Sequence, residues 1–297
     1  MAPMNDIMAG DSIERTQRDL HLALAGLNRL RLTPCLPEED GRADVDLPRL
    51  LAGEAGFLRA LRARVAPLAA RAPREPAAFL AWFEGLEQTG PGQRDRLFPW
   101  LAHEAPRAAM CWFVEQEAAG EAGFEDLTAL VQVRMPTRPK LELARNYWDE
   151  MGHGRKAGMH GPMLAHLVHA LGLRPRPEDT VWQSLALANT MAGLACHRHL
   201  AFHAVGALGV IELTAPGRAA MVAAGLKRLG VQPDDRHYFD LHAVLDVRHS
   251  AAWNAEVIVP LIMEDPRRAP AIAEGALMRL ECGAACFRRY RDHLGLK

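Results

Sequence analysis

Three residues in one short segment have the types and spacing of a metal-binding face. Within His237–Trp253, His242, Asp246 and His249 stand at i, i+4 and i+7. At about 100° per residue they span only about 60° of a helix's circumference, so they project together. Leu245 and Trp253 flank them with apolar surface, which marks the face as buried. Two imidazoles and a carboxylate buried without partners would cost several kcal/mol, and a metal ion satisfies all three at once.

A second segment, Tyr147–His160, carries Glu150 and His160, which fall about 80° out of phase on an ideal helix. Gly152, Gly154 and Gly158 lie between them. Three glycines inside a helix cost about 2–3 kcal/mol relative to alanine. Their use here would be to let the backbone unwind or bulge, so that the two side chains meet or the segment moves. Glu212 is a single acid in the apolar run Gly206–Leu213.

Together these are three carboxylates and three histidines. That is the ligand inventory of a di-iron or di-manganese carboxylate site inside a helical bundle. Oxygen-rich ligation with imidazole favours iron or manganese over zinc, whose structural sites prefer thiolate. The paired Glu-x-x-His signature of ferritin-type bundles does not occur, which disfavours that fold.

The elements that must position these groups read as helices throughout. Alanine, leucine, arginine and glutamate dominate, β-branched clusters are scarce, and no stretch alternates with period two. Helices are expected to begin near Asp11, Asp46, Glu75, Pro106, Lys140, His160, Pro177, Pro216, Asp234 and Pro270, several with the acid or proline that helix N-termini prefer. Twelve of the thirteen histidines follow residue 100, so the chemistry is expected in a core of residues 93–297 behind an N-terminal helical extension, residues 1–92.

Composition removes several function classes. Of 297 residues, 35 are basic and 36 acidic, for a net charge of −1, which argues against a nucleic-acid partner. The longest stretch free of charged residues and histidine, Thr180 to Cys196, falls short of the ~20 apolar residues that span a membrane. Met1–Gly10 lacks the basic-then-apolar pattern of a secretory leader. Five cysteines without a Cys-x-x-Cys pair fit a reduced, cytoplasmic setting. No dinucleotide, P-loop, Gly-x-Ser-x-Gly or His-Glu-x-x-His motif is present. His199 and His203 have the i, i+4 spacing of a metal pair, but no carboxylate flanks them and Arg198 sits beside them. Cys282 and Cys286 read as core packing rather than a redox pair.

The order Glu…His…Glu…His-x-x-x-Asp-x-x-His resembles the haem-oxygenase-like di-iron oxidases and oxygenases, over about residues 105–265. The resemblance implies an all-α, haem-oxygenase-like helical bundle. It implies that Glu150, His160, Glu212, His242, Asp246 and His249 are at once the metal ligands and the catalytic residues, holding two irons, or manganese. One branch of the family uses a further upstream carboxylate, a role for which Glu115, Glu117, Glu121 and Glu125 compete. The activity implied is O2-dependent oxidation of a small molecule, by N-oxygenation or oxidative cleavage of an amine or amino-acid-derived substrate. Fatty-acid decarboxylation on the same fold is the alternative. So are a metal-free, cysteine-dependent enzyme using Cys196 and a non-catalytic interaction protein. Some members dimerise through added helices, so a homodimer is expected.

Overall fold

Every regular element among the described residues is helical, as a chain rich in strong helix formers and poor in β-branched clusters should be. The structure is a computed structural model and describes residues 4–296. Its helices are α1 (Met4–Leu32), α2 (Leu47–Ala69), α3 (Pro76–Thr89), α4 (Leu97–His103), α5 (Arg107–Gly120) and α6 (Phe124–Val131). There follow α7 (Thr137–Glu150), α8 (His160–Ala170), α9 (Trp182–Cys196), α10 (Ala201–Arg228), α11 (His237–Trp253), α12 (Val259–Glu264) and α13 (Ala269–Leu294). A π-helical turn, Asn254–Ile258, joins α11 to α12.

Several helix starts lie where the local chemistry puts them. Asp46 caps α2 by accepting the Arg49 N–H, and Glu75 caps α3 by accepting those of Ala77 and Ala78. Others differ. Pro177 opens a single 3-10 turn, and α9 starts later, at Trp182. Pro216 does not open a helix but lies inside α10. Proline there removes the N–H that would have bonded the Glu212 carbonyl. Apolar packing on both sides of the proline carries the helix through, as tertiary context often overrides local propensity.

The core is organised around α10, which packs against α13 and α11 and is also met by α3, α4 and α9. It is long and apolar enough to cross a membrane by composition alone, yet most of it is buried inside the bundle. The crossing with α13 is closer than most helix pairs allow. A Cβ on Gly206 would collide with the backbone carbonyl of Ile272, and one on Gly275 with that of His203. Hydrogen in place of a methyl at these two points lets the backbones touch.

The N-terminal helices share this core. Leu58, Leu61, Phe79 and Phe83 belong to the same apolar cluster as Leu208, Ile258 and Leu277. His21 of α1 is fully buried, stacks on Trp182 at 5.6 Å and accepts through its backbone carbonyl from Asn189 of α9. Burial lowers its pKa to about 4, so it packs as a neutral ring.

The close crossing makes a direct prediction. Gly275→Ala must push α13 off α10, and overpacking of this kind costs about 1–3 kcal/mol. Thermal unfolding should show a drop of several degrees for Gly275→Ala and for Gly206→Ala. Gly26→Ala, where nothing stands within 4 Å of the added methyl, should unfold like the parent or slightly above it.

Candidate metal centre

Four helices deliver the six residues singled out by spacing. Glu150 is the last residue of α7 and His160 the first of α8; Glu212 lies mid-way along α10; His242, Asp246 and His249 lie on α11. The segment between Glu150 and His160 does not bulge within one helix. It breaks into two 3-10 turns, Gly152–Gly154 and Lys156–Gly158, that fold back on each other through a bridge between Met151 and Met159. Gly152 has φ +58°, and a Cβ there would overlap the Gly158 backbone. Glycine at these positions makes the fold-back possible, and the fold-back brings Glu150 Oε2 to 2.6 Å from His160 Nδ1.

Five of the six side chains converge. Donor atoms of Glu150, His160 and His242 lie within 4.8 Å of one another, and so do those of Glu150, Glu212 and His249. The two groups share Glu150. His249 Nδ1 lies 3.5 Å from Glu212 Oε2 and 3.9 Å from Glu150 Oε1. Asp246 stands outside both groups, but it is buried, its Oδ1 has no hydrogen-bond partner, and it feels the charges of Glu212 and Glu150.

Surrounding groups fix which atoms face inward. The Tyr238 carbonyl is 2.6 Å from His242 Nδ1 and accepts a hydrogen bond from its N–H, leaving Nε2 for the cluster. Asp149 Oδ2, 3.1 Å from His249 Nε2, holds that N–H and turns Nδ1 inward. Its other oxygen meets His153 Nε2 at 2.6 Å. Asn146 donates to Glu212 Oε1 at 2.7 Å. Sequence reasoning missed Asp149 and Asn146, although a signal for one of them exists. Both share α7 with Glu150; Asn146, four residues ahead of it, lies on the same helix face, whereas Asp149, its neighbour, gives no such signal.

The electrostatics show a cluster in want of positive charge. Burial, followed by repulsion from Glu212, pushes Glu150 up to about 9. Burial and the charges of Glu212 and Glu150 do the same to Asp246, also to about 9. Burial holds His160 and His242 down to about 4. Burial also opposes a charge on His249, but Glu212, Asp149 and Glu150 overcome it and raise this imidazole to about 9. His160 Nδ1, His249 Nδ1 and Asp246 Oδ1 are buried without hydrogen-bond partners. Inward-facing carboxylate and imidazole donors of this kind fit iron or manganese better than a thiolate-preferring metal.

The four upstream acids separate. Glu125 is nearest: its Oε1 packs against Gly161, and its charge is felt at Glu150 and His160. It belongs to neither donor group. Glu117 and Glu121 line an internal cavity, and Glu115 turns away to accept the Arg174 N–H. His203 is bound to Glu274 at 2.9 Å, His197 to Glu54 at 2.7 Å, and no metal group forms at His199 and His203 among the described residues. Cys282 and Cys286 are buried free thiols.

A cavity of about 170 Å3 opens beside the cluster, touching Glu150, Glu212, His242 and Asp246. On the opposite side, Asp149, Gly152, His153, His160 and His249 line an outer cleft.

The protonation pattern carries a sign. Between about pH 6.5 and 9 the folded, metal-free protein keeps protons on Glu150, Asp246 and His249 that the unfolded chain has lost. Stability therefore falls as pH rises through that window. Mn(II) displaces those protons, so its binding strengthens as pH rises. The unfolding temperature of the metal-free protein should fall from pH 6.5 to 9, and the increase produced by Mn(II) should grow over the same interval. A gain independent of pH would mean that no protons leave the cluster.

Comparison with known proteins identifies the family and the fold. The sequence model of a family described as iron-containing redox enzymes matches residues 111–284. That span contains all six residues and runs from α5 into α13. A crystal structure of a CADD-like protein of unknown function from Nostoc punctiforme superimposes with a TM-score of 0.52 at 14% identity, covering 80% of this chain and 97% of that one. At that identity the likeness is one of fold. No curated protein matches the chain.

Proposed function

This chain belongs to the iron-containing redox enzyme family, an oxidoreductase of haem-oxygenase-like all-α fold, and we propose that it is a non-haem di-iron enzyme that uses O2 to oxidise a small amine or amino-acid-derived substrate. The observation that carries this reading is the pair of donor groups sharing Glu150. One ion would be held by Glu150, His160 and His242, the other by Glu150, Glu212 and His249, with Asp246 completing the set. Bound there, the irons would supply the O2 activation and electron transfer that no side chain can, with a reductant restoring the ferrous state between turnovers.

The chain's own residues do the rest. Asp149 and the Tyr238 carbonyl set the tautomers of His249 and His242. Asn146 holds one oxygen of Glu212 and leaves the other to face the cluster. Phe113, Leu127, Ile211 and Phe239 wall the cavity and exclude water from the reacting centre. The same apolar walls would admit a fatty-acyl chain, which keeps oxidative decarboxylation as a second reading. The cysteine-dependent alternative draws no support from Cys196. Burial raises its thiol, and the neighbouring His197 imidazole is held by Glu54.

Anaerobic Fe(II) titration of the metal-stripped protein should reach two irons per chain, and O2 should then be consumed. His249→Ala removes a donor and should lose one iron and the O2 uptake. Asp149→Asn leaves every donor in place and should weaken Fe(II) binding about 10–100-fold without changing the number bound. Binding well short of two irons, or O2 consumption by His249→Ala at the parental rate, would overturn the di-iron assignment.

A further inference from the structure

The cavity beside the cluster also meets two arginines that belong to neither donor group. Arg218 of α10 and Arg279 of α13 both reach its wall. Neither forms an ion pair among the described residues. Arg218 is held in place but not neutralised. Its guanidinium lies against the rings of Phe98 and Phe287, at 5.8 and 5.6 Å, and donates only to neutral oxygens, Gln93 Oε1 at 3.2 Å and Thr214 Oγ1 at 3.1 Å. Three of its five N–H groups remain. Arg279 finds no acceptor at all among the described residues, and its Nε is buried without a partner. Arginine stays charged in proteins; both side chains are half-buried and feel the charge of Glu117, but neither has a carboxylate in direct contact, so their free N–H groups can still take an anion. Burial and the charge of Arg279 draw Arg218 down to about 9.

Two acids share the lining of the cavity. Glu117 accepts from the Tyr290 hydroxyl at 2.9 Å and is raised by burial. Glu121 accepts one N–H, from Gly123, and its remaining surface opens onto the cavity. The wall thus presents two guanidiniums without a carboxylate in direct contact, beside Glu121, whose carboxyl burial and the charge of Glu125 raise to about 7 and which an arriving cation would hold ionised. Arg218 stands six residues after Glu212 on α10, about 9 Å along the axis. Side chains of a helix lean toward its N-terminus, so the guanidinium leans toward the metal centre.

We propose that Arg218 and Arg279 bind the carboxylate of an α-amino acid, that Glu121 receives its ammonium group, and that its side chain runs along the apolar wall to the cluster at Glu150 and Glu212. This deepens the di-iron reading and rests on it for the fate of the side chain. The binding end stands on its own observations. A fatty acid could use the arginines but leaves Glu121 without a role. A cavity of about 170 Å3 suits a molecule of one residue rather than a peptide.

The test is calorimetric titration of the full chain, anaerobically, with and without two equivalents of Fe(II), using the twenty L-amino acids. Each amino acid that binds is compared with its carboxamide, and dodecanoate is run beside them. At least one amino acid should bind roughly tenfold or more tightly than its amide, since a bidentate arginine–carboxylate contact is lost in the amide. The preference should hold without iron, because neither arginine touches the metal cluster. Arg279→Gln and Arg218→Gln should each abolish the preference, Arg279→Lys should restore part of it, and all three should still take up two irons. No binding by any amino acid, equal binding of acid and amide, or tight binding of dodecanoate alone would overturn the proposal. Failure of the parent to bind iron would instead sink the di-iron reading, and the metal-free titration would still decide the clamp.

Discussion

Everything near the centre of this bundle follows from burying three carboxylates and three imidazoles in one place. Such a cluster cannot hold its charges in a low-dielectric interior without a counter-ion. The raised acids and the depressed histidines are the expression of that constraint. Bound metal cations would relieve it directly. Asn146, Asp149 and the Tyr238 carbonyl each engage the outer atom of an inner residue, so the inner atoms share one small volume.

Helix α10 makes this burial possible because it serves the core and the cavity at once. Its glycine-bearing face lets α13 approach to backbone contact, while Glu212, Ala215 and Arg218 face the cavity. Pro216 sits one turn beyond Glu212 and frees that residue's backbone carbonyl. The cavity is lined by Glu150, Glu212, His242 and Asp246 and also by Arg218 and Arg279, so groups of both signs share one internal surface.

The N-terminal helices contribute to the same arrangement from a distance. α1 packs His21 against Trp182 and Asn189 of α9, and α9 supplies Leu187 and Met191 to the cavity wall. The turn after α3 supplies Gln93, which holds Arg218. Residues that carry no donor of their own therefore help to fix the shape in which the donors work.

Much of this is legible in the sequence, for reasons of periodicity. An α-helix forces residues four and seven apart onto one face, so spacing alone groups His242, Asp246 and His249. Helix-forming composition likewise determined an all-α fold, and the glycines after Glu150 marked a break in regular structure. What tertiary structure alone decided is how separate elements meet. Sequence spacing cannot say that α7 and α8 fold back through two 3-10 turns, or that Glu212 faces Asn146 rather than an arginine. Nor can it say that Pro216 lies inside a continuous helix, because packing on α11 and α13 outweighs its local preference. The two arginines were invisible for the same reason. On a linear chain Arg218 and Arg279 are ordinary helix residues, and only the close crossing of α10 and α13 brings both to the same cavity wall.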